Sequence, residues 1–370
     1  MSEAARVRVD LADRSYDIVV GGGLLARAGA ELAAQGARDL IVVTDENLAA
    51  TEHLGRLEAS LKAAGLRHRR VVVPAGEASK SMAQLELLLA SLLEAGVERS
   101  TTIVACGGGV IGDLAGFCAA ILLRGVPYVQ VPTSLLAQVD SAVGGKTGVN
   151  ARHGKNLIGA FHQPRLVLAD TDVLTTLPPR ELRAGYAEVV KYGLIDQPAF
   201  FAWLEGHGGA LLAGDAAAQQ HAIVTSCAAK AAIVAADERE SGRRALLNLG
   251  HTFAHAYEAL AGYGEALLHG EAVALGMVQA FALSVRLGLC PPTDLARLRA
   301  HLEAVGLPTD PRAIRPAGFE PAAMLAAMGR DKKVAAGRMR FVLARGIGAA
   351  LISDEVPAEV LRDVLDNGTD

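Results

Sequence analysis

Cysteine is scarce in this sequence: Cys106, Cys118, Cys227 and Cys290 are scattered, and no two form a CxxC pair. That pattern is the one expected of a reduced, cytoplasmic protein. Charge of one sign is lacking too. Lysine and arginine number 36 against 40 acids, a net −4, which leaves no global field for gripping a nucleic-acid backbone. Residues 1–10 carry Arg6, Arg8 and Asp10 and no apolar core, so no signal peptide is predicted. The most apolar long stretch, 272–289, is short for a membrane span and holds Gln279 and Arg286, so it reads as a buried helix. Internal repeats are absent and low-complexity sequence is scant.

What is present is 370 residues, 51% hydrophobic, with 40 glycines. That length suggests two domains, with core enough to fold without disulfides or a structural metal. β-branched runs at 39–44, 70–73, 101–105, 126–131 and 166–169 alternate with helical patterns at 48–65, 80–96 and 110–123. Strands alternating with helices predict βαβ units and a parallel sheet, with ligands at the strands' carboxyl ends. After Leu177-Pro178-Pro179 the pattern is helical to about 306, with strand-like runs only at 339–343 and 347–352. The fold class expected is therefore an α/β Rossmann-like domain, 1–178, followed by a mainly α-helical domain, 179–370, with a cleft between them.

Gly107, Gly109 and Gly112 satisfy GxGxxG between a predicted strand and a predicted helix, where backbone N–H groups can approach a pyrophosphate. No acid follows about 20 residues later to take the ribose. Asp45, closing the 39–44 run with Asn47 beside it, is the better ribose candidate. Gly21-Gly22-Gly23 reads as a simple turn. Gly145-Lys146-Thr147 tempts toward a P-loop, but Asp140 stands where that motif needs glycine. What remains is a loop, 144–156, whose Lys146, Arg152, Lys155 and Asn156 suit an anion.

His251 and His255 stand at i and i+4 and so share a helix face. His269 opens the next apolar helix, and Glu188 lies within another. Two imidazoles and a carboxylate with one position open are the pattern of a catalytic zinc site. Spacing leaves open which histidines bind metal and which does acid–base work. Lys191, Lys230, Arg244 and the run Asp331-Lys332-Lys333 add cations in an apolar setting. Lys230, within 222–236, needs a partner, and a multiply anionic substrate would provide one.

The sequence resembles the 3-dehydroquinate synthases, from about Val7 to Ile352. The resemblance is carried by GGGVIGDLAGF (107–117), VPTSLLAQVDSAVGGKTGVN (131–150), GKNLIGAF (154–161), TLPPRELRAGYAEVVKYGLI (176–195), LNLGHTFAHAYE (247–258), LHGEAVALGM (268–277) and DKK (331–333). It implies an NAD- and zinc-dependent enzyme, with cobalt able to substitute, that is a homodimer. Its implied substrate is a phosphorylated sugar acid, 3-deoxy-D-arabino-heptulosonate 7-phosphate, turned into 3-dehydroquinate and phosphate. The implied metal ligands are Glu188, His251 and His269, leaving His255 to face substrate.

By the same resemblance, NAD contacts fall on Asp45, Asn47, Glu77, Lys80, Gly108, Gly109, Val110, Asp113, Thr133, Ser134, Asp140, Lys146, Lys155, Val173 and Thr176. Substrate contacts fall on Arg124, Lys146, Asn156, Lys191, Lys230, Arg244, Asn248, His255 and one of Lys332 or Lys333, with Arg124 reaching to a partner subunit. Two positions depart from the family pattern. Ala75 replaces a frequent aspartate at an NAD contact, and Ala254 stands where glycine is common between the two histidines. Sister sugar-phosphate cyclases, a metal-dependent polyol dehydrogenase and a nucleotide sensor with a structural metal are the competing readings.

Overall fold

A computed structural model of the chain describes residues 3–262, 264, 266–315, 318–329, 334, 335 and 338–367. They form two compact units: Met1–Leu177 with Gln219–Arg239, and Pro178–Ala218 with Glu240–Asp370. The division at the proline pair is thus crossed once, because Gln219–Arg239 packs with the first unit although it follows Pro179 in sequence.

The first unit runs β1 (Ala5–Val9), β2 (Tyr16–Gly21), α1 (Ala28–Ala34), β3 (Asp39–Asp45), α2 (Glu46–Ala49), α3 (Glu52–Ala63) and β4 (Arg67–Val73). It continues with α4 (Met82–Glu94), β5 (Thr102–Gly107), α5 (Gly109–Ile121), β6 (Tyr128–Pro132), β7 (Lys146–Ala151), β8 (Gly154–Phe161) and β9 (Leu166–Asp170). Seven strands make one sheet in the order β1-β2-β9-β6-β5-β3-β4. All neighbours are parallel except β1 on β2. Every residue of β5, β6 and β9 is buried, as covering both faces of a parallel sheet requires. At the β4 edge, Arg67, Arg69 and Arg70 are exposed, and charges of this kind discourage pairing with another chain. From β3 the chain turns one way to β4 and the other way to β5, so the crevice of this α/β sheet lies beyond the carboxyl ends of β3 and β5.

The loop expected over 144–156 is instead the antiparallel hairpin β7–β8. Thr147 and Val149 are buried beneath α5, and a side chain at Gly116 of α5 would meet Thr147 Cγ2 at 2.5 Å. The charged residues that made this segment look like a loop occupy the solvent side and the turn, whereas its alternate residues are apolar or β-branched and pack inward.

The second unit begins with α6 (Pro179–Ile195) and α7 (Pro198–Leu212). After α8 (Ala216–Ala236), most of which belongs to the first unit, come α9 (His251–Ala261), α10 (His269–Arg286), α11 (Pro292–Ala304), α12 (Pro321–Met328) and α13 (Ala358–Asn367). Pro179 is preorganised for the first turn of α6. Every residue from 272 to 284 of α10 is buried, so α10 is the core helix of this unit. The strands Phe341–Ala344 and Ala350–Ser353 pair against each other. No helix among the described residues is long and apolar enough to cross a membrane.

Candidate active site

In the first unit, most of the sequence-derived nucleotide residues stand at the carboxyl edge of the sheet. Asp45 ends β3, and its Oδ1 accepts the Leu48 N–H at 2.9 Å, capping α2, while Asn47 is exposed. Gly107 ends β5, Gly108 caps α5, and Gly109 and Val110 open it. A Cβ on Gly112 would meet Gln130 of β6 at 2.8 Å, so that glycine seats the helix close on the sheet. Thr133 and Ser134 follow β6; the Thr133 N–H donates to Gly107 O at 3.0 Å, tying two strand ends together. Val173 and Thr176 lie on the 3-10 turn after β9, and Thr176 Oγ1 meets the buried His53 Nε2 at 2.8 Å.

Charged residues at that edge are paired. Lys80 is 6% exposed and its ammonium contacts the Asp113 carboxylate of α5. Burial pushes the Asp113 carboxyl upward, and Lys80 opposes this. Glu77 Oε1 accepts from Asn150 Nδ2 at 2.7 Å, and Asn150 Oδ1 accepts the N–H of Asn156, whose φ is +56°. Lys146 opens β7 and Lys155 lies in β8. Lys230, on α8, finds its partner in Asp140, with Nζ 2.8 Å from Oδ1. Arg124 is exposed on a turn where both it and Leu123 are left-handed, φ +68° and +49°, a costly pair for residues other than glycine.

The second unit brings Glu188, His251 and His269 together, one ligand atom of each within 4.8 Å of the others. Glu188 comes from the middle of α6, His251 from the first residue of α9 and His269 from the first residue of α10. Glycines make this possible. A Cβ on Gly270 would lie 1.8 Å from Ala184 O, so only glycine lets the start of α10 rest on α6 one turn before Glu188. Gly250, left-handed at φ +81°, turns the chain into α9, and a Cβ there would lie 2.7 Å from Met277 N of α10. Arg180 of α6 grips Glu271 of α10 through two 2.7 Å hydrogen bonds, fixing the same crossing.

The donor set fits a divalent metal ion. Glu188 is fully buried, and neither carboxylate oxygen accepts a well-aligned hydrogen bond, although the Lys191 ammonium touches it. Oε1 lies 3.6 Å from Nε2 of both His251 and His269. Each imidazole turns its other nitrogen away: His251 Nδ1 lies 3.2 Å from Leu249 O, and His269 Nδ1 lies 3.4 Å from Glu258 Oε2. Burial alone would lower the His269 pKa, but its two carboxylate neighbours outweigh that and push it up to about 10. His255 is half-buried and stays outside the trio, its ring meeting His251 edge-on at 5.6 Å.

Among the described residues, two cations of this unit are buried, and one of them, Lys191, touches Glu188. Lys191 and Arg244 are each 1% exposed. Arg244 and Asn248 share the 3-10 turn leading to α9, and Asn248 Nδ2 donates to Glu240 Oε1 at 2.8 Å. Lys332 and Lys333 lie outside the described residues.

Residues 70–184 match the N-terminal family of 3-dehydroquinate synthase, and residues 185–334 match its C-terminal family. The chain belongs to the 3-dehydroquinate synthase family. A relative from Rhodospirillum rubrum with that name is 65% identical over 352 residues, covering 95% of this chain and 91% of the relative. Among solved structures, 2-epi-5-epi-valiolone synthase from Streptomyces hygroscopicus, with NAD+ and Zn2+ bound, superposes with a TM-score of 0.87 at 31% identity. That match covers 96% of this chain and 97% of the other. 2-Deoxy-scyllo-inosose synthase, complexed with carbaglucose-6-phosphate, NAD+ and Co2+, gives 0.86 at 26% identity over 98% and 100% of the two chains.

The two departures from the family pattern differ in consequence. Ala75 leaves no carboxylate at its position, directly before Gly76 at φ +94°. Ala254 is absorbed, because the close approach of α9 and α10 is made by Gly250 and Gly276, whose Cβ would lie 2.1 Å from Gly250 O. Sequence reasoning missed Glu258 and the three glycines at the crossings. For Glu258 a signal existed: it stands seven residues after His251, two turns on along one face.

Proposed function

We propose that the chain catalyses the redox-neutral conversion of 3-deoxy-D-arabino-heptulosonate 7-phosphate to 3-dehydroquinate and phosphate. The sequence of steps is transient oxidation, β-elimination of phosphate, re-reduction, ring opening and intramolecular aldol closure. The observation that carries this reading at the site is the buried Glu188 carboxylate, touched by the Lys191 ammonium but accepting no well-aligned hydrogen bond, facing Nε2 of His251 and His269. The 65% identity to a named 3-dehydroquinate synthase favours that substrate over those of the sister cyclases, which stand at 31% and 26%.

In this reading the first unit binds NAD at the carboxyl edge of its sheet, and the second holds zinc, with cobalt able to replace it, through Glu188, His251 and His269. When bound, the metal polarises the reacting hydroxyl and the nicotinamide serves as a reversible hydride sink. Gly108, Gly109 and Val110 offer backbone N–H groups at the start of α5 to the pyrophosphate, and Asp45 accepts from the ribose. Lys191, Arg244 and Asn248 orient the substrate, with the guanidinium suited to a carboxylate. His255 holds or moves a proton at the reacting oxygens. Lys146, Lys230 and Arg124 neutralise phosphate and carboxylate oxygens, Arg124 from a second copy in a homodimer, and the Asn156 amide hydrogen-bonds to them. The enzyme works in the cytoplasm.

The test is an incubation of zinc-loaded protein with the heptulosonate phosphate and a catalytic amount of NAD. Phosphate release in proportion to substrate, with no net NADH, is expected. Accumulating NADH would instead identify a dehydrogenase, and no release at all would defeat the substrate assignment.

A further inference from the structure

We propose that Glu258 is a positioning residue for the metal centre, fixing through its carboxylate which nitrogen of His269 faces the ion; this rests on the ligand reading above. The three proposed ligands come from three helices, and each imidazole must present one nitrogen while the other is held elsewhere. For His251 the holder is a neutral main-chain carbonyl, Leu249 O. For His269 it is a carboxylate, Glu258 Oε2, at 3.4 Å from Nδ1. Glu258 is only 3% exposed, and an acid so deep in the fold needs a compensating donor. It lies two turns along α9 from His251, so one helix face supplies a ligand and the group that orients the other imidazole.

His269 needs this more than His251 does. It is the first residue of α10, its side chain is 33% exposed, and the partner of its Nδ1 comes from another helix, α9. With Nδ1–H donated to Glu258, Nε2 carries the lone pair and points toward Glu188, the direction a ligand atom must take. Charge argues the same way. Lys191 touches Glu188 and offsets its charge, so Glu258 restores a net negative charge beside the cation site.

The experiment uses the full chain and two substitutions, Glu258→Gln and Glu258→Leu, with His269→Ala as control. Zinc affinity is measured by competition with a chromophoric chelator, and the cobalt-loaded protein is read by its visible absorption. Removing an outer partner of a metal-bound histidine costs about 10–100-fold in metal affinity. Glu258→Leu is expected to weaken zinc binding by that factor. Glu258→Gln, which keeps an acceptor but loses the charge, should fall between and shift the cobalt bands, with NAD binding unchanged in both. If His269→Ala loses zinc while both Glu258 variants bind it as tightly as the parent, the inference is overturned and the ligand reading stands. If His269→Ala itself keeps full zinc affinity, the ligand reading falls. Should Glu258→Leu fail to fold, the near-isosteric Gln variant decides, since unchanged affinity and unchanged cobalt bands there also overturn the inference.

Discussion

His251 and His255 are four residues apart on one helix, yet only His251 joins Glu188 and His269. The reason is reach. The third ligand atom approaches from the start of α10, and at the foot of α9 that places His251 beside it and leaves His255 a turn further on. His269→Ala should therefore release zinc and abolish turnover. His255→Ala should keep a full complement of zinc and lose about 10²–10⁴-fold in rate, the range for a lost acid–base group. Metal content by atomic absorption, set beside the rate, checks both. Zinc loss in His255→Ala would mean the ligand set is misassigned. At this scale the residue types were legible in the sequence, because carboxylate and imidazole announce themselves. Which imidazole meets Glu188 and His269 was not legible from spacing, since an i,i+4 pair says nothing about where a third helix arrives.

Helices bring these groups together through positions that carry no chemistry at all. Gly270, Gly250 and Gly276 allow α10 to lie against α6 and α9 at backbone contact distance. Gly270→Ala should cost about 1–3 kcal/mol or more through overpacking, and should also weaken zinc binding although it adds only a methyl group. Urea denaturation and chelator competition on the same sample test this; unchanged zinc affinity would detach the crossing from the site. Buried histidines make a second prediction. His301 of α11 meets the Tyr186 hydroxyl of α6 at 3.0 Å, and burial holds its pKa below the ordinary value. A depressed imidazole contributes stability that is complete above about pH 6.5 and lost as pH falls through the folded value. The drop in Tm between pH 7 and pH 5 should be smaller in His301→Gln than in the parent, whatever its stability at pH 7.

Parallel strands such as β3, β5 and β9 were readable as continuous apolar runs, and the helical second half as long amphipathic patterns. The β7–β8 hairpin was not, because Lys146, Arg152, Lys155 and three glycines gave it the composition of a loop while its inward residues pack under α5. Nor was the placement of Gln219–Arg239 with the first unit. An alanine-rich helix looks the same in either setting, and the Lys230–Asp140 pair that belongs to that unit spans 90 residues of sequence.

For the molecule as a whole, the proposed homodimer predicts sedimentation at twice the chain mass at micromolar concentration. A single-mass species under those conditions would remove Arg124 from any role in a partner's site.

The interleaved make-up of the two units has a consequence for how the chain is made. During synthesis the first unit cannot close when Leu177 leaves the ribosome, because it still awaits the helix that ends near Arg239. By then α6 and α7 have emerged without α10, which packs on α6, and α11, which meets α7 through Arg297–Glu205 and Phe201–His301. A truncation at the proline pair therefore should not yield a free-standing N-terminal half, and one ending just beyond Arg239 strands two apolar helices in water. Neither boundary is therefore a point at which a folded half of the chain can be released.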